Sequence, residues 1–177
     1  MAANAIIPST PIPSFASHPA MTEIRSTFTF DTAPALIGTE LGVTKWHPVT
    51  QKQVNQFANV TQDHDWIHIN PERARQEGPY DGTISFGFFT LSLLTAFSHE
   101  VGLWPSDARY GLNYGLNKVR WITPVLVGSR IRGRFALIGF DPHTSGGYMS
   151  TTEATVEIEG CNKPAMVAEW LGLFMRK

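Results

Sequence analysis

Apolar residues after Val49 recur at helical intervals and predict a helix that ends just before Asp63. The positions on its apolar face are Val54, Phe57, Ala58 and Thr61. Thr50 and Gln53 have the spacing of a capping box, in which the two side chains satisfy backbone N–H groups at a helix start. The helix is therefore expected to begin directly after Thr50.

A second short helix is predicted after Asn70. Asn70 can cap it, Pro71 suits its first position, and Glu72 places a negative charge in its first turn. The pair Gly78-Pro79 closes it within about two turns.

The segment from Thr83 to Phe97 is apolar on nearly every side when drawn as a helix, and it is bounded by Gly102 and Pro105. A helix of this kind is surrounded by protein. It is predicted to be the central buried helix.

Beyond residue 130 the period changes from helical to alternating. Ile131, Gly133, Phe135 and Leu137 alternate with Arg130, Arg132, Arg134 and Ala136, which predicts a strand with one wet face. Residues 148–159 alternate in the same way, and residues 165–174 are apolar on both faces, as expected for a strand inside the sheet. Turn residues at 141–147 and 160–164 supply the connections.

This order of elements predicts an α+β fold. One long buried helix is followed by about four antiparallel strands, with a further strand before the first helix, so the sheet is expected to wrap the helix.

Length and composition set the outer bounds. The chain of 177 residues, 42% of them hydrophobic, fits one domain at 25–177 after a Pro-, Ser- and Ala-rich tail at 1–24, which we expect to be flexible. A formal net charge of −1 gives no basic field for nucleic acid. Cys161 is the only cysteine, which excludes an internal disulfide, and no apolar run approaches the roughly 18 residues of a membrane span. A soluble, cytoplasmic protein is expected.

Asp63 and His68 are the candidate catalytic pair, because both lie on the short connection between the first two predicted helices. A carboxylate can hold an imidazole in one tautomer, and either group can move a proton near neutral pH.

The surrounding sequence resembles the MaoC-like (R)-specific enoyl-CoA hydratases, in particular their small NodN-like branch. Four blocks in the same order carry the resemblance: Gln62 to His68, Asn70 to Ala74, Gly82 to Leu94, and Asn113 to Arg120. The resemblance covers roughly Leu36 to the C-terminus and implies a single hot-dog fold, an antiparallel sheet wrapped around a long central helix.

The resemblance also implies a reaction, the reversible addition of water to a trans-2-enoyl thioester to give an (R)-3-hydroxyacyl thioester. Asp63 and His68 would hold the water, and the Gly87 N–H would stabilise the thioester oxygen, with Ser85 and Phe86 beside it for substrate binding. Neither metal nor redox cofactor is implied. The expected partners are an acyl-CoA or a carrier-bound acyl thioester and a second copy of the chain in a homodimer, with neither nucleic acid nor membrane.

Three positions depart from the family pattern. Gln62 stands where the family usually has Gly, Asp65 replaces an amide side chain, and Phe86 replaces the His of a His-Gly pair. Asp65 adds a charge that would raise the pKa of Asp63 or compete for His68 if it faced the site.

Other interpretations of these residues stay open at this stage. Asp63 can be a turn residue, His64 and His68 can form part of a zinc site, and Ser85 can be a helix cap rather than a nucleophile. The aromatic residues at 86, 88, 89 and 97 are core or acyl-tunnel residues, and the arginines at 130, 132 and 134 are a solvated strand face or a contact for coenzyme A phosphates. Alternative functions are a specialised dehydratase of polyketide or secondary-metabolite biosynthesis, a thioesterase, and a non-catalytic acyl-binding subunit.

Overall fold

The computed structural model describes residues 28–176. The tail predicted at 1–24 lies outside the described residues. The helices are α1 (Gln51–Thr61), α2 (Trp66–Ile69), α3 (Pro71–Glu77) and α4 (Gly87–Val101), and the strands are β1 (Glu40–Val43), β2 (His47–Pro48), β3 (Ala108–Trp121), β4 (Arg130–Pro142), β5 (Tyr148–Ile158) and β6 (Met166–Arg176).

One antiparallel sheet contains all six strands. Its order is β1-β4-β5-β6-β3, and β2 also pairs with β4. The predicted α+β architecture, a hot-dog fold, is confirmed. The strand expected before the first helix is present as β1 and β2, and β6 lies inside the sheet between β5 and β3, as its two apolar faces predicted.

The short helices begin where the capping signals placed them. The Thr50 side chain accepts from the Gln53 N–H while the Gln53 side chain accepts from the Thr50 N–H, which completes the capping box of α1. Asn70 accepts from the Arg73 N–H at the start of α3. Local side-chain chemistry therefore fixes both helix starts.

The central helix differs from its prediction at its start and on one face. α4 begins at Gly87, and residues 83–86 before it are extended. Thr90, Leu94, Phe97 and Ser98 are buried against the sheet, where Phe97 packs onto Gly133 of β4. Phe88 is 68% exposed, and Ser92 and Ala96 share its exposed face, so a single chain covers only part of the helix.

The strand β3 lies at one edge of the sheet, and the sequence pattern did not locate it. Its pairing with β6 is shifted at three places, between Ala108 and Tyr110, between Asn113 and Gly115, and between Leu116 and Lys118. Irregular pairing of this kind disrupts the alternation of inward and outward side chains. The period-two signal is therefore lost along this strand.

Candidate active site

The connection between α1 and α2 begins with a residue in the left-handed conformation. Gln62 has φ 60° and ψ 19°, and within residues 28–176 it is the only non-glycine with positive φ. Its side-chain amide donates to the Asn59 carbonyl over 2.6 Å, which partly compensates the steric cost of this conformation. Glycine suits this place because it has no Cβ, which gives a physical reason for the family's usual residue here.

Asp63 and Asp65 are held by local hydrogen bonds. Asp65 caps α2 by accepting from the Ile67 N–H over 3.1 Å, so its carboxylate serves the helix start. Asp63 is exposed, and its Oδ1 accepts from the Asp65 N–H over 3.2 Å. The other carboxylate oxygen of Asp63, Oδ2, takes no part in this hydrogen bond.

His68 lies in α2 and is half-buried. Its Nδ1–H donates to the Ile84 carbonyl over 2.7 Å. Because a carbonyl oxygen only accepts, the neutral ring carries its proton on Nδ1 and its free lone pair on Nε2. The ring also packs on Phe86, with centroids 3.8 Å apart and planes inclined by 32°. Two contacts thus fix the tautomer and the ring plane.

The extended segment before α4 is anchored on both sides. The Ile84 N–H donates to the Ile67 carbonyl over 3.1 Å, and the Ser85 N–H donates to the Val125 carbonyl over 2.7 Å. This segment therefore joins α2 to the chain that follows β3, and it sets the position at which α4 begins.

The N-terminus of α4 has no side-chain cap. Phe86 is the N-cap residue and makes no side-chain cap hydrogen bond, so the interpretation of Ser85 as the cap is wrong. The Ser85 hydroxyl instead lies 3.4 Å from the Phe86 carbonyl. As the first helical residue, Gly87 has no intrahelical acceptor for its N–H, and the helix dipole favours negative charge there.

These elements surround one cavity of about 480 Å³, within the range of small-molecule sites. His68, Ser85 and Gly87 all line it. Phe86 does not, since its ring is buried between His68 and Phe57. The structure thus brings three of the five predicted site residues to one cavity, places Phe86 behind His68, and leaves Asp63 outside the cavity lining.

A family model named MaoC like domain matches residues 32–159. The chain belongs to the MaoC-like domain family. This MaoC-like chain is 46% identical over 138 residues to Nodulation protein N of Rhizobium leguminosarum bv. viciae, covering 78% of this chain and 86% of that protein. It is 45% identical over 135 residues to 3-hydroxyacyl-thioester dehydratase Z of Mycobacterium tuberculosis. The match covers 76% of this chain and 88% of that protein.

The solved structures show the same fold. The unliganded R-hydratase PhaJ1 from Pseudomonas aeruginosa superposes with a TM-score of 0.65 at 15% identity, covering 80% of this MaoC-like chain and 83% of the other. At this identity the likeness concerns the fold alone.

Among the further residues that line the cavity of this MaoC-like protein are three that sequence reasoning missed. They are Tyr80 in the α3–α4 connection, the buried Thr90 of α4, and Trp121 at the end of β3. Trp121 directly follows the family block that ends at Arg120, and this adjacency was the one available signal.

The structure gives little support to a zinc site at His64 and His68, or to binding of coenzyme A phosphates by the arginines of β4. Within the described range, no group of three or more His, Cys, Asp or Glu side chains is placed to hold a metal ion. Arg130 pairs with Glu159, and Arg132 and Arg134 share Glu157. Arg134 also pairs with Glu40, so three carboxylates balance the three arginines. In the part of the chain described here, none of the helices has the length and apolar character needed to cross a membrane.

Proposed function

We propose that the protein catalyses the reversible addition of water to a trans-2-enoyl thioester, which gives an (R)-3-hydroxyacyl thioester. One observation carries the proposal: His68, in a fixed tautomer, and the uncapped helix start at Gly87 line the same cavity. Membership of the MaoC-like family and the relative named as a 3-hydroxyacyl-thioester dehydratase support the same chemistry.

In the hydration direction, the Gly87 N–H donates to the thioester carbonyl oxygen and draws electron density from C3. A water then adds its oxygen to C3. His68 holds this water from within the cavity, and Asp63, which lies outside the cavity lining, must turn Oδ2 toward it. The pair removes one proton from the water, and a proton is delivered to C2. The C2=C3 π bond and one O–H bond of the water are thus replaced by new C3–O and C2–H bonds. Because Nδ1–H is bonded to the Ile84 carbonyl, Nε2 is the ring nitrogen that exchanges protons. Asp63 acts through Oδ2.

The pair is tested by Asp63→Asn and His68→Gln with crotonyl-CoA, following the loss of the enoyl absorbance and the chirality of the product. Each variant should lower kcat by about 100-fold or more, as expected for a lost general acid or base. His64→Gln is the matched control, since His64 is an exposed histidine on the same connection, and it should keep normal turnover. Folded Asp63→Asn and His68→Gln proteins with near-normal hydration would eliminate the assignment.

A second candidate is the same step run as a dehydratase on a specialised or carrier-bound substrate. The relative from Mycobacterium tuberculosis, 45% identical and named for dehydration, favours this direction. A comparison of 3-hydroxybutyryl-CoA with carrier-bound 3-hydroxyacyl thioesters separates the two. Release of free thiol would instead identify a thioesterase, and binding without turnover would identify an acyl-binding subunit.

We also propose a homodimer that pairs through β3. This strand forms an edge of the sheet, and it exposes four large apolar side chains, namely Tyr110, Leu112, Tyr114 and Leu116. An exposed apolar edge strand is a template for pairing, and a closed two-fold dimer covers it. Light scattering of the wild-type protein should give twice the mass of one chain. Leu112→Lys should shift the measured mass toward that of the monomer. Ile138→Lys, at a 40% exposed position on β4, is the control and should leave the mass unchanged. A monomeric wild-type protein would rule out the dimer.

A further inference from the structure

Trp121 is held against the start of α4 by the sheet. It is the last residue of β3 and pairs with Met166 of β6, and the next residue, Ile122, donates its N–H to the Ala165 carbonyl over 2.8 Å. The position of the indole is thus set by strand pairing rather than by a loop.

The edge of the indole that carries its nitrogen lies directly on Gly87. A Cβ built on Gly87 would stand 2.7 Å from Nε1, 2.9 Å from Cε2 and 3.0 Å from Cδ1 of Trp121. Such distances are shorter than normal contacts, so only glycine allows the ring to approach the helix start this closely. The absence of a side chain at Gly87 therefore lets the indole nitrogen stand next to this first residue of α4.

The indole keeps an open side toward the cavity. Phe88 packs edge-on against it, with centroids 5.2 Å apart and planes inclined by 62°. The ring lines the cavity together with His68 and Ser85, and Trp121 remains 46% exposed. Within residues 28–176, no acceptor is hydrogen-bonded to Nε1. An indole N–H is a donor only and normally has an acceptor when a ligand or partner covers the ring.

We propose that the Trp121 indole N–H is a second hydrogen-bond donor to the thioester carbonyl oxygen, beside the Gly87 N–H. This inference rests on the proposed hydration reaction and adds a substrate-contacting residue to it. Gly87 and Trp121 both line the cavity, and in the described part of the chain neither N–H is hydrogen-bonded to a protein acceptor. The carbonyl oxygen gains negative charge as water adds to C3, so two preorganised donors stabilise the transition state more than one.

The decisive variant is Trp121→Phe, which keeps a ring against Gly87 and Phe88 and removes the donor. We expect kcat for crotonyl-CoA to fall by about 10- to 100-fold, with a much smaller change in KM, since the donor acts mainly on the charged transition state. Trp46→Phe is the matched control, because Trp46 stacks on Arg132 and does not line the cavity, and it should keep the wild-type kcat.

A spectroscopic measurement reports the hydrogen bond itself. Bound 2,4-hexadienoyl-CoA should show a red-shifted absorbance on wild-type protein, because donors to the thioester oxygen polarise the conjugated system. The shift should be smaller in Trp121→Phe and unchanged in Trp46→Phe. If Trp121→Phe does not fold, replacement of the indole by a benzothiophene of the same shape removes the N–H without changing the packing.

The outcomes separate this inference from the hydration proposal. A folded Trp121→Phe or benzothiophene protein with wild-type kcat and a wild-type red shift overturns the role of Trp121 and leaves the reaction standing. A wild-type protein that neither hydrates enoyl thioesters nor shifts the probe overturns the reaction and, with it, this role.

Discussion

The Thr83 hydroxyl donates to the Oε1 of Gln51 over 2.6 Å, and this bond ties the first helix to the segment that precedes the central helix. The same Gln51 amide donates through Nε2 to the carbonyl of His68 over 2.7 Å. One side chain thus connects the residue that carries the imidazole with the segment whose Ile84 carbonyl fixes its tautomer.

Gln51→Ala is expected to loosen this arrangement. Thr83 is only 4% exposed, and leaving its hydroxyl without an acceptor costs about 1–3 kcal/mol. Urea unfolding should show this loss, and kcat for crotonyl-CoA should fall because the ring of His68 is less well held. Gln56→Ala, at an exposed position of the same helix, is the control and should be close to neutral. Equal stability of the two variants would contradict the linking role.

Gln62→Gly should stabilise the protein. Gln62 occupies the left-handed region, where a Cβ costs about 1–2 kcal/mol, although the bond from its side chain to the Asn59 carbonyl offsets part of this. The expected gain is about 0.5–1 kcal/mol in the free energy of unfolding, measured by urea denaturation. Gln62→Ala retains the Cβ and loses the bond, so it should not stabilise. A gain in Gln62→Ala equal to that in Gln62→Gly would refute this explanation.

Glu157 should make the free energy of unfolding depend on pH in the acidic range. The hydrogen bond from Arg134 lowers the pKa of Glu157 below its ordinary value, burial opposes this, and the bond from Arg132 adds to it. Because the folded pKa is the lower one, this stabilisation is complete above the unfolded pKa of about 4.3 and is lost as the pH falls through the folded pKa.

Glu157→Gln should therefore cost about 0.5–1 kcal/mol near pH 7 and progressively less as the solution is acidified below about pH 4. Urea unfolding across this range measures the difference. Glu153→Gln changes an exposed glutamate of the same strand that forms no ion pair among the described residues, so it serves as the control for the loss of the two ion pairs. A difference between wild type and Glu157→Gln that stays constant with pH would show that the ion pairs are not its source.

Gly87→Ala should disturb the site more than the fold. The new Cβ would stand 2.7 Å from Nε1 of Trp121, so the indole or the helix start must move. We expect a stability loss of about 1–3 kcal/mol, as for other overpacked positions, and at least a tenfold loss of kcat. Gly115→Ala, where a Cβ meets nothing within 4 Å, should leave both nearly unchanged. A fully active Gly87→Ala enzyme would argue against close approach at this helix start.

The starts of α1 and α3 were predictable because their causes are local. Thr50 and Asn70 bond to backbone N–H groups three residues away, so a short sequence window contains both partners. The alternation along β4 and β5 was equally local, since one face of each strand is buried along most of its length.

The start of α4 was predicted four residues early for a physical reason. Thr83 to Phe86 are apolar or small enough to continue the helical pattern, but the hydrogen bonds of Ile84 to Ile67 and of Ser85 to Val125 hold the segment extended. These partners lie in other elements, and no local pattern contains them. The same limit explains why the sequence pattern did not locate β3. The register shifts of this strand arise in its pairing with β6, which is distant in sequence.

The sequence by itself determined the caps of α1 and α3, the alternating strands and the chemistry available between α1 and α3, because each depends on neighbours along the chain. The tertiary structure decided how the site is arranged: His68 and Gly87 line the same cavity, Phe86 lies behind the imidazole, and Trp121 packs against the helix start. That choice follows from the register of β3 on β6 and from the anchoring of residues 83–86, and both are set by contacts between segments distant in sequence.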